Sequence, residues 1–108
     1  MSYHSDMIKE ISKQPNKLDL ILEMSEISLK TEISFINGDI DILAKGICWY
    51  TGTNKLAVIE VKSNFGLIPH YKKYQLPKYI QQYPEAKQFV CYGKNKSLNF
   101  EDFTFLEN

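Results

Sequence analysis

The segment that most limits the fold is Leu56-Ala57-Val58-Ile59, an unbroken apolar run that closes on Glu60-Val61-Lys62. A run this apolar is expected of a strand covered on both faces, so the chain should build a sheet with layers above and below it. The residues before it carry strand periodicity. Ile27, Leu29, Thr31, Ile33 and Phe35 alternate with Ser28, Lys30, Glu32 and Ser34, the pattern of a strand with one buried face. Asn37-Gly38 is a strong hairpin signal. The chain should then return through Asp39-Ile40-Asp41-Ile42-Leu43-Ala44 towards Tyr50 and turn at Thr51-Gly52-Thr53-Asn54 into a third strand, Lys55 to Lys62.

Helical spacing appears on either side of these strands. Met7, Ile8 and Ile11 mark a helix over roughly Ser5 to Lys13, and Leu18, Ile21 and Leu22 mark another from Lys17 to about Glu26, with Gln14-Pro15-Asn16 between them. Tyr71 to Tyr83 reads as a helix with Tyr71, Gln75, Tyr79 and Gln82 on one side, although Pro77 sits inside it. Gln88 to Tyr92 is expected as a fourth strand and Phe103 to Leu106 as a short last one. The order helix, three strands, helix, strand predicts an α/β domain with a mixed sheet flanked by helices. A length of 108 residues suits one domain, 1–108.

Charge is spread unevenly along the chain. Residues 1–48 carry five Lys against eight acids (−3), residues 49–98 eight Lys against two (+6), and residues 99–108 three acids (−3), for a total of zero. All thirteen basic residues are Lys, which disfavours bidentate Arg readout of guanine and suits contacts that track phosphates. No apolar run approaches the roughly 20 residues of a membrane helix, and the N-terminus lacks the pattern of a signal peptide. Cys48 and Cys91 are expected as reduced thiols. Together these features predict a cytoplasmic protein without a membrane partner. At this size, pairing into a homodimer is one common way to bury more apolar surface.

The chemistry concentrates in Asp39-Ile40-Asp41 and Glu60-Val61-Lys62. Residues two apart on a strand share a face, so Glu60 and Lys62 project together, and an adjacent Asp41 would add a second carboxylate. Charges at such positions are costly unless paired or bound to metal. Asp41, Glu60 and the Val61 carbonyl would make a hard oxygen site for Mg²⁺, with Mn²⁺ able to substitute. Lys62 could then orient a water or stabilise charge on a phosphate. A turn-capping Asp41 beside a surface Glu60–Lys62 pair would explain the same spacing without chemistry.

This constellation resembles the PD-(D/E)XK nuclease superfamily, whose signature is an Asp at the end of one strand and Glu-X-Lys on the next. Gly38 to Ala44 and Ala57 to Ser63 look much like archaeal Holliday-junction resolvases and RecB-like nucleases. Glu32 to Asp41 is similar to a run in the archaeal and actinobacterial mismatch endonucleases. The resemblance implies a restriction-endonuclease-like core and a Mg²⁺-dependent deoxyribonuclease acting on DNA. It favours Asp41 over Asp39, since Asp41 precedes the apolar run. It also implies an acid on the first helix that completes the metal site: Glu10, Asp19, Glu23 and Glu26 compete, and Glu10 is the choice here. Gln75 and Tyr79 match the Gln-x-x-x-Tyr motif of RecB-type exonucleases and would share a helical face, contacting DNA or supporting the site; a tyrosine-rich core helix explains them equally well. Lys72, Lys73 and Lys78, interleaved with Tyr71 and Tyr74, would track phosphates and stack on exposed bases. His70 and Ser63 lie nearby without an assigned part. The expected activity is phosphodiester hydrolysis in DNA, and the rivals are a catalytically silent DNA-binding or assembly module on the same fold and a small interaction protein.

Overall fold

The computed structural model describes residues 2–108. Five strands form one mixed sheet in the order β1-β2-β3-β4-β5: Met24–Phe35, Gly38–Cys48, Asn54–Lys62, Lys87–Tyr92 and Thr104–Glu107. Among the described residues only the β3–β4 pair is parallel. A parallel pair needs a crossover, and the chain supplies it with helices over one face of the sheet. These are α3 (Ile68–His70), a π turn (Tyr71–Gln75) and α4 (Leu76–Gln82). On the other face lie α1 (Tyr3–Ser12) and the short α2 (Asp19–Leu22).

The apolar run in β3 is buried from both sides, as its composition requires. Ala57, Ile59 and Val61 pack with Met7, Ile8, Ile11, Leu18 and Leu22, while Val58 packs with Ile68, Tyr71 and Tyr79. The expected helix from Lys17 to Glu26 ends early. Glu23 turns left-handed (φ 55°) and its successor Met24, fully buried, already starts β1. Burial of Met24 beneath the helical layer outweighs the helical periodicity of these residues. A bulge follows between Ser25 and Ser28 and shifts the strand's register by one residue, which keeps Ile27 and Leu29 turned towards the same core.

The β1–β2 hairpin departs from expectation at its tip. Phe35 pairs with Gly38, so the turn residues are Ile36 and Asn37, and neither has the positive φ of a primed turn. Gly38 instead lies beneath the Phe35 ring, whose Cζ would stand 3.5 Å from an added Cβ.

Pro77 is accommodated by the π turn. The Leu76 N–H reaches back five residues to the Tyr71 carbonyl, and this widened turn absorbs one extra residue just before the proline. Eight positions from Tyr71 to Tyr79 therefore act as about seven, two helical turns. Both tyrosines face the core, 0% and 2% exposed.

Gly93, just after β4, lets α1 dock. A Cβ there would collide with the Tyr3 hydroxyl, which donates to the Ser97 carbonyl at 2.7 Å. Gly93→Ala is accordingly expected to destabilise the fold by about 1–3 kcal/mol, the usual cost of overpacking. Urea denaturation of the variant against wild type measures this, and a Tyr3→Phe background should recover part of the loss.

Candidate active site

The β2–β3 ladder runs from Ile47↔Asn54 to Ile42↔Ile59 and stops there. Beyond that level the β1–β2 hairpin twists away from β3. Glu32, opposite Asp41, takes a left-handed φ of 54°. Ile42 and Ala44 belong to the core under α1, yet Ile40, two residues earlier, belongs to the core under α4. The next donor of β3, the Val61 N–H, is left without a main-chain partner and is taken by the Asp41 carboxylate (Oδ2, 2.8 Å). A residue's N–H and C=O point the same way across an antiparallel pair, so the Val61 carbonyl also faces this gap.

Around the gap the structure gathers Asp41, Glu60, Lys62 and Gln75. Lys62 Nζ lies 3.1 Å from Glu60 Oε2 and donates to Gln75 Oε1 at 2.6 Å. Gln75 Nε2 donates to the Tyr79 hydroxyl at 3.4 Å, and that hydroxyl lies 2.8 Å from the Asp39 carbonyl and 3.0 Å from Glu60 Oε1. It has one proton for two acceptors. When it donates to Asp39, a proton on Glu60 satisfies the second contact.

The electrostatics agree with that arrangement. Burial, and then the negative charge of Asp41, push the Glu60 carboxyl up to about 7. Burial also acts to raise Asp41, but hydrogen bonds from His4 and the Val61 N–H outweigh it and hold this carboxyl below its ordinary value. Of these two crowded carboxylates, Asp41 is the one favoured to stay ionised and Glu60 the one favoured to hold a proton. A divalent cation in place of that proton would relieve the crowding.

His4 closes the site from α1, and sequence reasoning missed it. Its Nε2 lies 3.1 Å from Asp41 Oδ2, and this bond, against the opposing effect of burial, raises the imidazole above its ordinary pKa. Glu10, the expected helix acid, pairs instead with Lys13 at 3.1 Å. The helix starts at Tyr3, so the inward stripe reads His4, Ile8, Ile11, and Glu10 falls beside it. Glu23 hydrogen-bonds Tyr50, Glu26 sits exposed in the bulge, and Asp19 lies in α2; none of them is joined to Asp41 or Glu60.

Two further expectations change. Tyr79 is buried, with its hydroxyl spent inside the site, so it supports the carboxylates from behind and offers no surface to DNA. Tyr71 is buried too, which leaves Tyr74, half exposed, as the open aromatic among Lys72, Lys73 and Lys78. His70 lies against Tyr74.

Two clefts flank the site and share His4. One, of about 400 Å³, is lined by Glu32, Ser34, Asp39, Ile40 and Asp41 as well as His4 and Ser5. The other is lined by α1 and the segments after β3 and β4. As donors for a metal ion, Asp41, Glu60, the Val61 carbonyl and His4 have the right chemistry. Two carboxylates and a carbonyl offer hard oxygens, and the His4 and Val61 contacts to Asp41 both fall on Oδ2, which leaves Oδ1 clear of them. Among the described residues no group of three or more His, Cys, Asp or Glu side chains is arranged to hold a metal ion. No family model, curated protein or solved structure matches the chain. Among the described residues no helix is long and apolar enough to cross a membrane.

Proposed function

We propose that this chain is a metal-dependent nuclease that hydrolyses phosphodiester bonds in DNA, on a restriction-endonuclease-like version of its α/β fold and within the PD-(D/E)XK superfamily. The observation that carries this reading is the end of the β2–β3 ladder, where the Asp41 carboxylate meets Glu60-Val61-Lys62 across a break in the sheet. Asp41, Glu60 and the Val61 carbonyl would hold Mg²⁺ or Mn²⁺, with His4 where a first-helix acid was expected. The bound ion supplies Lewis-acid charge and a water of lowered pKa. Lys62, fixed by Glu60 and Gln75, presents an ammonium to the phosphate or the attacking water. Tyr79 holds Glu60 in place.

One observation favours the rival reading, a silent DNA-binding module: Glu60 is closed in by Lys62 and Tyr79. Metal binding separates the two. Calorimetry should detect Mn²⁺ binding to wild type and none to Asp41→Asn. Incubation with linear, circular single-stranded, duplex and four-way DNA should give cleavage that chelator abolishes and Mn²⁺ restores. A chain that binds no divalent ion at millimolar concentration, with or without DNA, is not this enzyme.

A further inference from the structure

The two clefts that meet at His4 differ in charge. The one towards the hairpin is lined by Glu32, Asp39 and Asp41. The other holds about 490 Å³ and is walled by Tyr3 and His4 of α1, Ser63 and Asn64 after β3, and Asn95 and Lys96 after β4. No acidic residue lines it. Lys96 brings an ammonium that has no ion-pair partner among the described residues. The walls after β3 and β4 start side by side, where the Gly93 N–H donates to the Lys62 carbonyl at 3.2 Å beyond the last parallel pair, Lys62↔Tyr92. The crevice outside the carboxyl ends of parallel strands is the usual ligand site of such sheets.

The turn that carries Lys96 is strained and braced. The Ser97 N–H donates to the Lys94 carbonyl at 2.9 Å, and the two residues between them, Asn95 (φ 52°) and Lys96 (φ 57°), are both left-handed. This is the φ pattern of a primed turn, whose second central position glycine fills most readily. The Tyr3 hydroxyl holds the turn from α1, donating to the Ser97 carbonyl at 2.7 Å. Ser97 Oγ ties it to Asp102 Oδ2 at 2.6 Å, on the segment before β5. A lysine where glycine would be easier, on a turn anchored at both sides, is strain of the kind found at ligand clamps. The ammonium faces a cleft of hydroxyls and amides, which suits a phosphate oxygen. Three carboxylates make the cleft on the other side of His4 repel one.

We infer that this cleft is a phosphate subsite, in which Lys96, with Asn64 and Ser63, takes the backbone phosphate next to the cut bond of a DNA strand. The inference rests on the nuclease reading, because His4 joins the cleft to Asp41 and Ser63 follows Lys62. It fixes the side from which the strand enters: one neighbour of the cut phosphate is gripped, and the other, towards the acidic cleft, is not.

The test uses the whole chain. In chelator, Lys96→Gln should weaken DNA binding and reduce its salt slope by about one counterion, while Lys94→Gln, two residues away and outside the cleft, should do neither. With Mn²⁺, the probes carry a single methylphosphonate, which removes the charge of one phosphate. Wild type at low concentration is expected to cut the bond on one side of it about tenfold more slowly or less, the loss for one hydrogen bond to a charged group. Lys96→Gln should cut that bond equally with a charged or a neutral neighbour. Lys96→Gly, free to take the left-handed φ, should behave as Lys96→Gln does and melt no lower than wild type. An unchanged salt slope in Lys96→Gln, an equal loss in Lys94→Gln, or slowing that persists in Lys96→Gln overturns the subsite. So does millimolar inorganic phosphate binding to wild type and not to Lys96→Gln, which would give the cleft to free phosphate. A chain that cuts nothing with any metal, yet loses its counterion in Lys96→Gln alone, overturns the nuclease reading and leaves a DNA phosphate site standing. Cutting without one-sided slowing does the reverse.

Discussion

Lys62→Ala is expected to lower the single-turnover rate of DNA cleavage by about 10²-fold or more, the usual loss for one preorganised charge-stabilising group. The side chain is 16% exposed and braced at two points, 3.1 Å from Glu60 Oε2 and 2.6 Å from Gln75 Oε1. Its ammonium thus sits in place before substrate arrives, and reorganisation at the moment of reaction is small. The substitution also removes the cation that steadies an ionised Glu60. Metal binding should therefore be compared across an alkaline pH series, because losing Lys62 moves the Glu60 carboxyl higher still. A variant that still cuts at near the wild-type rate, with metal bound, would show that Lys62 only neutralises Glu60.

Glu60→Gln is expected to abolish divalent-ion binding and cleavage while making the metal-free fold more stable at alkaline pH. The Glu60 carboxyl titrates near 7 in the folded chain because burial and Asp41 resist its charge. A folded pKa above the unfolded one means that wild-type stability is fully present below the ordinary carboxylate pKa. It declines as pH rises towards 7 and then levels off. Glutamine never ionises, so its advantage should be absent near pH 4, grow through the window up to 7, and stay constant above it, on the order of 1–3 kcal/mol. Thermal denaturation in chelator across that range reads it directly. A difference that does not change with pH would mean that Glu60 carries no buried charge. A gain in stability on loss of the carboxylate is typical of residues kept for function.

How much of this was legible follows from how far each relation reaches along the chain. Glu60 and Lys62 stand two apart on one strand, and a pair of charges closing an apolar run is conspicuous without a structure. Asp41 needed only the hairpin to reach the same level. Gln75 was legible from its motif, although the π turn that aims it at Lys62 was visible only as an awkward Pro77. His4 was not legible, because its partner lies 37 positions away and depends on how α1 docks. One signal was present: His4, Ile8 and Ile11 form a single i, i+4, i+7 stripe, so a helix capped by Ser2 would have put His4 on the inward side and Glu10 beside it. The five-stranded order was partly visible, while the break between β2 and β3 was not. It arises from the twist at Glu32 and Asp41, and alternation of apolar residues does not encode twist.

That break has a consequence for how the protein behaves in a crowded solution. Unpaired strand backbone is adhesive, and on the rim of a sheet it can template the strand of another molecule and start aggregation. Here the unpaired stretch opens inside the sheet, between β2 and β3, and begins only where Ile42↔Ile59 ends. On β3 it covers only Glu60 to Lys62, flanked by the hairpin on one side and β4 on the other. A foreign strand, which needs several consecutive pairings to hold, finds no landing there, whereas a single ion or water does. The same peptide groups are thereby open to small chemistry and closed to self-association.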